Sequence, residues 1–229
     1  MTRVLLIEDD PAVRRGVSLG LRRRGHLVEA VATGEDGVEA LHAAPPELVL
    51  LDLMLPGISG LEVCRRVRET SQVPIVILSA RGDDIDVVVG LEAGADDYVV
   101  KPAAVAVIEA RMRAVLRRVA PAQPTPEGPA RTVHGDLEID RAALRVTKNG
   151  RPLPLAPSEL KLLLFLSASP DTTFSRRQLL EEVWEHSYYG DVRLVDACVM
   201  RLRARTEDDP RAPRYVQTVR GFGYRFGPL

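Results

Sequence analysis

A chain of 229 residues with 45% hydrophobic and 28% charged side chains has the composition of a folded protein and the length of two domains of about 100 to 120 residues, which excludes a wholly disordered polypeptide. Its apolar stretches, such as 73–78 and 162–166, fall far short of the roughly 20 residues of a membrane span, and Glu8, Asp9 and Asp10 directly after the apolar Val4-Leu-Leu-Ile7 exclude a signal-peptide pattern. Two distant cysteines, Cys64 and Cys198, suit a reducing compartment, so the expectation is a soluble, cytoplasmic protein with no membrane partner. The net charge of −1 divides unevenly: residues 1–130 carry 15 basic and 19 acidic side chains, residues 131–229 carry 16 and 13. An acidic half joined to a mildly basic one suggests two jobs, one of them facing a polyanion.

Along the first half, apolar runs of strand length at Arg3–Ile7, Leu48–Leu51, Pro74–Leu78 and Tyr98–Val100 alternate with helical stretches at Pro11–Arg24, Gly34–His42, Ser59–Arg68, Asp84–Ala93 and Ala104–Arg118. Pro11 fits the first turn of its helix and Gly25 fits its end. Strands apolar on both faces and interleaved with helices predict a parallel sheet covered on both sides, with its ligand at the carboxyl ends of the strands. Residues 120–131 hold four prolines and no large apolar side chain and read as an interdomain linker. Beyond it, short strands at Leu137–Ile139 and Leu144–Thr147 come first, followed by the turn Lys148-Asn-Gly150. Helices at Ser158–Leu166, Arg176–Trp184 and Leu194–Thr206 follow, and strand pieces at Tyr215–Val219 and Tyr224–Phe226 close the chain around Arg220-Gly-Phe-Gly223. Three helices followed by a hairpin make a winged helix-turn-helix. The expected domains are 1–119, the linker 120–131, and 132–229.

The chemistry concentrates at strand ends. Glu8 and Asp9 follow the first strand and Asp52 follows Leu48–Leu51, so three carboxylates converge at one sheet edge, an arrangement that is unfavourable without a cation. Mg²⁺ suits a few carboxylate oxygens, waters and a phosphate oxygen. Ser79 adds a hydroxyl and Lys101 a point positive charge, which a cis Lys101–Pro102 bond would turn inward. Acids, hydroxyl and amine at one edge describe a site for a phosphoryl group.

The segments Val4-Leu-Leu-Ile-Glu-Asp-Asp10, Leu50-Leu-Asp-Leu-Met-Leu-Pro-Gly57, Ile77-Leu-Ser-Ala-Arg81, Gly94-Ala-Asp-Asp-Tyr98 and Lys101-Pro102 resemble the receiver domain of two-component response regulators. Pro157-Ser-Glu-Leu160, Ser175-Arg-Arg-Gln-Leu-Leu180, Val183-Trp184, Val195-Asp196, Arg201-Leu-Arg203 and Thr218-Val-Arg-Gly-Phe-Gly-Tyr-Arg225 resemble the winged-helix effector of the OmpR/PhoB class. The resemblance implies a doubly wound, parallel five-stranded receiver (flavodoxin/CheY-like) and an α+β winged-helix domain. It implies a phosphorylation-controlled transcriptional regulator rather than an enzyme. Asp52 would accept a phosphoryl group from a sensor histidine kinase. Asp9, Asp52 and the Met54 carbonyl would hold Mg²⁺, with Glu8 acting through a water. Lys101, Ser79 and Tyr98 would form the switch that follows phosphorylation.

The same resemblance implies a homodimer through the fourth helix, fifth strand and fifth helix, using Asp96, Asp97, Arg111 and Arg118. At one ion pair of that face the sequence has Val87 and Val107, so an apolar contact replaces it. Ala103 and Ala104 depart from the aromatic and polar residues usual after Lys-Pro. In the effector, Val195, Val199 and Leu202 share an inward stripe. Arg201 is the expected base reader of promoter DNA, with Ala197, Leu194, Cys198 and Met200 on the outward surface. Arg193, Arg203 and Arg205 reach for phosphates, and Arg220 enters a minor groove from the hairpin tip. Asp196 is expected to pair with an arginine and Trp184 to be core. The resemblance places an RNA polymerase contact at residues 185–190, a stretch that reads equally as a plain connecting loop between the second and third helices. A Mg²⁺-dependent phosphohydrolase is the enzyme alternative, weakened because Met54 stands where a second aspartate would act as general acid and no cap domain is present. A regulator that binds DNA without phosphorylation is the other alternative, and the set Asp9, Asp52, Ser79 and Lys101 argues against it.

Overall fold

The computed structural model describes residues 1–80, 89–119, 130–184 and 192–227, with Arg118 and Val119 by backbone alone. The chain divides into two compact units, 1–116 and 117–229.

In the first unit, β1 (Arg3–Ile7), β2 (Leu27–Val31), β3 (Leu48–Leu51), β4 (Ile75–Ser79) and β5 (Asp97–Val100) form one sheet in the order β2-β1-β3-β4-β5, parallel throughout. The helices are α1 (Pro11–Arg22), α2 (Gly34–Ala43), α3 (Gly60–Thr70) and α5 (Val105–Val119), with α4 represented by the helical residues 89–92. Every residue of β3 and β4 is buried, as strands sandwiched between two helical layers require. Val4, Leu6, Leu50, Val76 and Leu78 pack with Val17, Leu21, Ile108, Met112 and Val115 of α1 and α5. Asp10 caps α1 by accepting from the amides of Ala12 and Val13 at 2.7 and 2.9 Å, and those bonds hold its carboxyl below the usual carboxylate range, the one from Val13 most strongly.

The strand order reverses between β1 and β3, which opens a crevice at their carboxyl ends. Ile7 is paired with Leu51, so the residues that follow each, Glu8 and Asp52, emerge side by side. Ser79 is paired with Val100, which delivers Lys101 to the same edge. Apolar-run reading does not find β2, because this edge strand exposes Leu27 and Glu29 and buries only Val28 among its first three residues.

The second unit opens with an antiparallel sheet of β6 (Arg131–His134), β7 (Leu137–Asp140), β8 (Arg145–Lys148) and β9 (Arg151–Pro152). Arg131 is paired with Asp140 and therefore belongs to a strand, correcting its assignment to the linker; residues 120–129 of that linker lie outside the described residues. Asn149 and Gly150 turn between β8 and β9 with φ of 51° and 74°, the left-handed geometry of a tight hairpin. Helices α6 (Pro157–Ala168), α7 (Arg176–Trp184) and α8 (Arg193–Thr206) follow, then the hairpin β10 (Val216–Val219) and β11 (Gly223–Phe226). Trp184, Leu162, Leu166, Leu179, Val195 and Leu202 are buried. Gly223 sits at φ 143°, where an added Cβ would lie 2.0 Å from the Phe174 carbonyl oxygen, so that close approach between hairpin and the start of α7 requires glycine. Tyr215 donates to Asp136, and burial together with that bond pushes the phenol up to about 12.

Candidate functional site

At the crevice, Glu8, Asp9 and Asp52 bring carboxylate oxygens within 4.8 Å of one another, Glu8 and Asp52 buried and Asp9 exposed. Lys101 reaches between them: its Nζ lies 2.6 Å from Glu8 Oε2 and 2.6 Å from Asp52 Oδ2. Burial and the neighbouring Asp52 charge raise the Glu8 carboxyl despite the opposing pull of Lys101. Burial alone would lower the Lys101 ammonium, but its bonds to Asp52 and Glu8 outweigh this and leave it raised. Ser79 is buried at the end of β4, and the Lys101 amide donates to its carbonyl at 2.8 Å. The Lys101–Pro102 bond is cis. Thus the four strand ends read from sequence do meet at one edge.

Two residues that build this edge were not singled out in the sequence. Arg14, one turn into α1, donates to the carbonyl oxygens of Glu8 and Asp9 at 2.6 and 2.9 Å and so fixes the loop that carries both acids. Glu35 of α2 accepts from the Ile58 amide at 3.0 Å, pinning the loop between β3 and α3 against Gly57, which has φ 76°. The Met54 amide donates to Asp52 Oδ1 at 3.0 Å. Gly60 permits α3 to start against this loop, since a Cβ there would lie 2.0 Å from the Asp52 carbonyl oxygen.

The donor set fits a hard divalent cation. Three carboxylates converge, and Glu8 Oε1 is buried without a hydrogen-bond partner, a buried anionic oxygen that a metal-bound water would satisfy.

At the expected dimer face, Asp96 is not available to a partner. Its side chain is fully buried, 2.7 Å from Arg68 Nη2, and accepts the Ile75 amide at 3.0 Å. Asp97 is likewise buried and faces Arg111 of its own chain at 3.9 Å. These placements correct both residues as intersubunit partners. Val107 is exposed, as is Val100. Val87 and the Arg118 side chain lie outside the described residues. Tyr98 is half-buried; a Cβ at Gly90 of α4 would sit 3.5 Å from its ring.

In the second unit, α8 packs differently from expectation. Leu194, Ala197 and Cys198 are buried rather than outward. Arg201 lies 3.0 Å from Glu159 Oε1, with its side chain only 12% exposed, and so does not present itself as a base reader. Arg203 donates to the Val216 carbonyl and to Thr218, both at 2.8 Å, and Arg205 donates to the Pro154 carbonyl at 3.2 Å; both are engaged within the fold rather than reaching outward for phosphates. Asp196 takes Arg176 at 2.6 Å and the Tyr224 hydroxyl at 2.7 Å, as its expected arginine pairing requires. Arg193 is half-buried at the first turn, and Arg220 is exposed at the hairpin tip beside Phe222, 71% exposed and not named as a contact from sequence. Residues 185–190 lie outside the described residues.

A parallel five-stranded domain with an acid-and-lysine crevice, followed by three helices and a hairpin, defines a phospho-receiver joined to a winged-helix DNA-binding domain. The chain matches the response regulator receiver domain over residues 4–113 and the transcriptional regulatory protein C-terminal domain over residues 150–226. It is 57% identical over 228 residues to transcriptional regulatory protein AfsQ1 of Streptomyces coelicolor, covering 100% of this chain and 99% of that one. It is 45% identical over 227 residues to the DNA-binding response regulator MtrA of Mycolicibacterium smegmatis, covering 99% and 97%. The crystal structure of response regulator DrrB, an OmpR/PhoB homolog from Thermotoga maritima, superposes with a TM-score of 0.51 at 35% identity over the full length of both chains. The chain belongs to the OmpR/PhoB-type two-component response regulators and is a DNA-binding transcriptional regulator, with a kinase and DNA as the partners its two domains imply. Among the described residues no helix is long and apolar enough to cross a membrane.

Proposed function

We propose that Asp52 is the phospho-accepting nucleophile. A carboxylate oxygen of Asp52 forms the bond to phosphorus as the phosphorus–nitrogen bond of the sensor kinase's phosphohistidine breaks, and the leaving imidazole keeps its electron pair and takes up a proton. The observation that carries this reading is the approach of Lys101 Nζ to both Asp52 and Glu8 at 2.6 Å, which places a positive charge where phosphoryl oxygens accumulate. Asp9, Asp52 and the Met54 carbonyl would hold Mg²⁺, with Glu8 acting through a water, and the bound ion would supply the remaining charge neutralisation. Ser79 then hydrogen-bonds the phosphoryl group, and Tyr98 moves inward beneath α4. On this reading the protein is a cytoplasmic switch and not a turnover enzyme; the receiver spans 1–119 and the effector follows the linker.

Treatment with a small-molecule phosphodonor and Mg²⁺ is expected to add one phosphoryl group by intact mass, with Asp52→Asn unmodified. An Asp52→Asn chain that still gains the group would overturn the assignment.

The phosphorylated receiver dimerises through α4, β5 and α5, with the exposed Val107 and Val87 supplying an apolar contact where the family resemblance would put an ion pair. Sedimentation of the phosphodonor-treated chain is expected to give a dimer that Val107→Glu weakens at least tenfold, about 1.4 kcal/mol; an unchanged dimer removes this contact. The winged helix then binds promoter duplex through α8 and the Arg220 hairpin, with Arg193 on the phosphate backbone; RNA polymerase contact falls to 185–190.

A further inference from the structure

On α8, about 100° of rotation per residue groups Arg193, Met200 and Ala204 on one narrow stripe. Met200 is 46% exposed and Ala204 is exposed. The polar side chains beside this stripe are engaged in bonds within the domain. Asp196 is held by Arg176 and Tyr224, Arg201 by Glu159 and Arg203 by the hairpin strand β10. The centre of the helix's outward face therefore offers a thioether and a methyl group, with a guanidinium only at its first turn.

Among the four base pairs, the major groove presents one methyl group, the 5-methyl of thymine; the other edges are read through hydrogen-bond donors and acceptors, with cytosine offering only a C5–H at the equivalent place. A helix lacking a central donor cannot make the bidentate contact that selects guanine. A flexible, polarisable methionine packs well against a methyl group. Resting on the reading of α8 as the groove-entering helix, we infer that Met200 reads thymine 5-methyl groups in the major groove, so that this regulator selects A·T pairs at the centre of each half-site by apolar contact.

The test uses the full-length, phosphodonor-treated chain. A random duplex pool is enriched, and the preferred duplex is then resynthesised with deoxyuridine at each thymine in turn. Removing one buried methyl is expected to weaken binding about fourfold at one or two positions. Met200→Ala is expected to make those same positions indifferent to the methyl group, and Met200→Leu to retain the discrimination. Enrichment without a methyl-sensitive thymine, or sensitivity that persists in Met200→Ala, overturns the inference alone. A pool from which the wild-type chain enriches nothing overturns the DNA-binding reading along with it.

Discussion

Replacing Lys101 by methionine is expected to lower the stability of the first unit by about 3 kcal/mol in metal-free buffer, and the loss should shrink when Mg²⁺ is added. Lys101 is the cation bonded to two buried carboxylates, Glu8 and Asp52, whose side chains are 1% and 6% exposed. Removing one partner of such a cluster leaves uncompensated buried charge, which typically costs about 3 to 5 kcal/mol; the partial exposure of Lys101 places this case at the lower end. Mg²⁺ binds the folded state through the same carboxylates and stabilises it by mass action. With the ammonium gone, the metal meets less repulsion and should rescue the variant more than the wild type.

The pH dependence has a definite sign. Burial and the charge of Asp52 already raise Glu8 above its ordinary range, and Lys101 opposes them. In the variant the folded state holds that proton more tightly than the unfolded chain does. Its stability is then greatest in mild acid and falls as pH rises through the folded-state pKa of Glu8. Urea denaturation at mildly acidic and neutral pH, with and without Mg²⁺, measures all of this. A variant as stable as the wild type at neutral pH without metal would mean that Lys101 does not balance the carboxylates.

The receiver pocket is legible in the sequence because each of its groups directly follows a short apolar run, and a parallel sheet gathers such positions at one edge. Glu8 is informative because it comes straight after the buried run Val4-Leu-Leu-Ile7; the same acid within an alternating polar and apolar stretch would carry no such message. What the sequence hides is pairing between distant elements. Asp96 reads as a surface acid in a loop, yet Arg68 of α3 turns back to it and also binds the carbonyls of Gly94 and Val73 at 2.9 and 2.6 Å. The short strand β6 follows a proline-rich stretch and exposes alternate residues, so its pattern is too brief to register. On α8 a single inward stripe of Val195, Val199 and Leu202 is correct but too narrow. The helix packs on α6 and α7 and is also bound by the hairpin, and Leu194, Ala197 and Cys198 are buried as well.

Arg201 shows how that wider burial changes an expected result. Arg201→Ala is expected to destabilise the second unit by about 2 kcal/mol without altering which DNA sequences are preferred. Glu159, 2% exposed, accepts from Arg201 at 3.0 Å and from the Ala156 amide at 3.0 Å, with Arg205 at 3.6 Å. Loss of Arg201 leaves this buried carboxylate short of a partner, while the Ala156 amide and Arg205 keep the cost below that of a fully stranded charge. Glu159→Gln in the same chain removes the charge that Arg201 was balancing, so the double variant should lose less than the two single losses combined. Thermal unfolding of the four chains gives the coupling, and competition among duplexes, normalised to folded protein, gives the preference. If Arg201→Ala left stability unchanged and relaxed the choice between duplexes, Arg201 would be the base reader after all, and the outward face of α8 would no longer be centred on Met200.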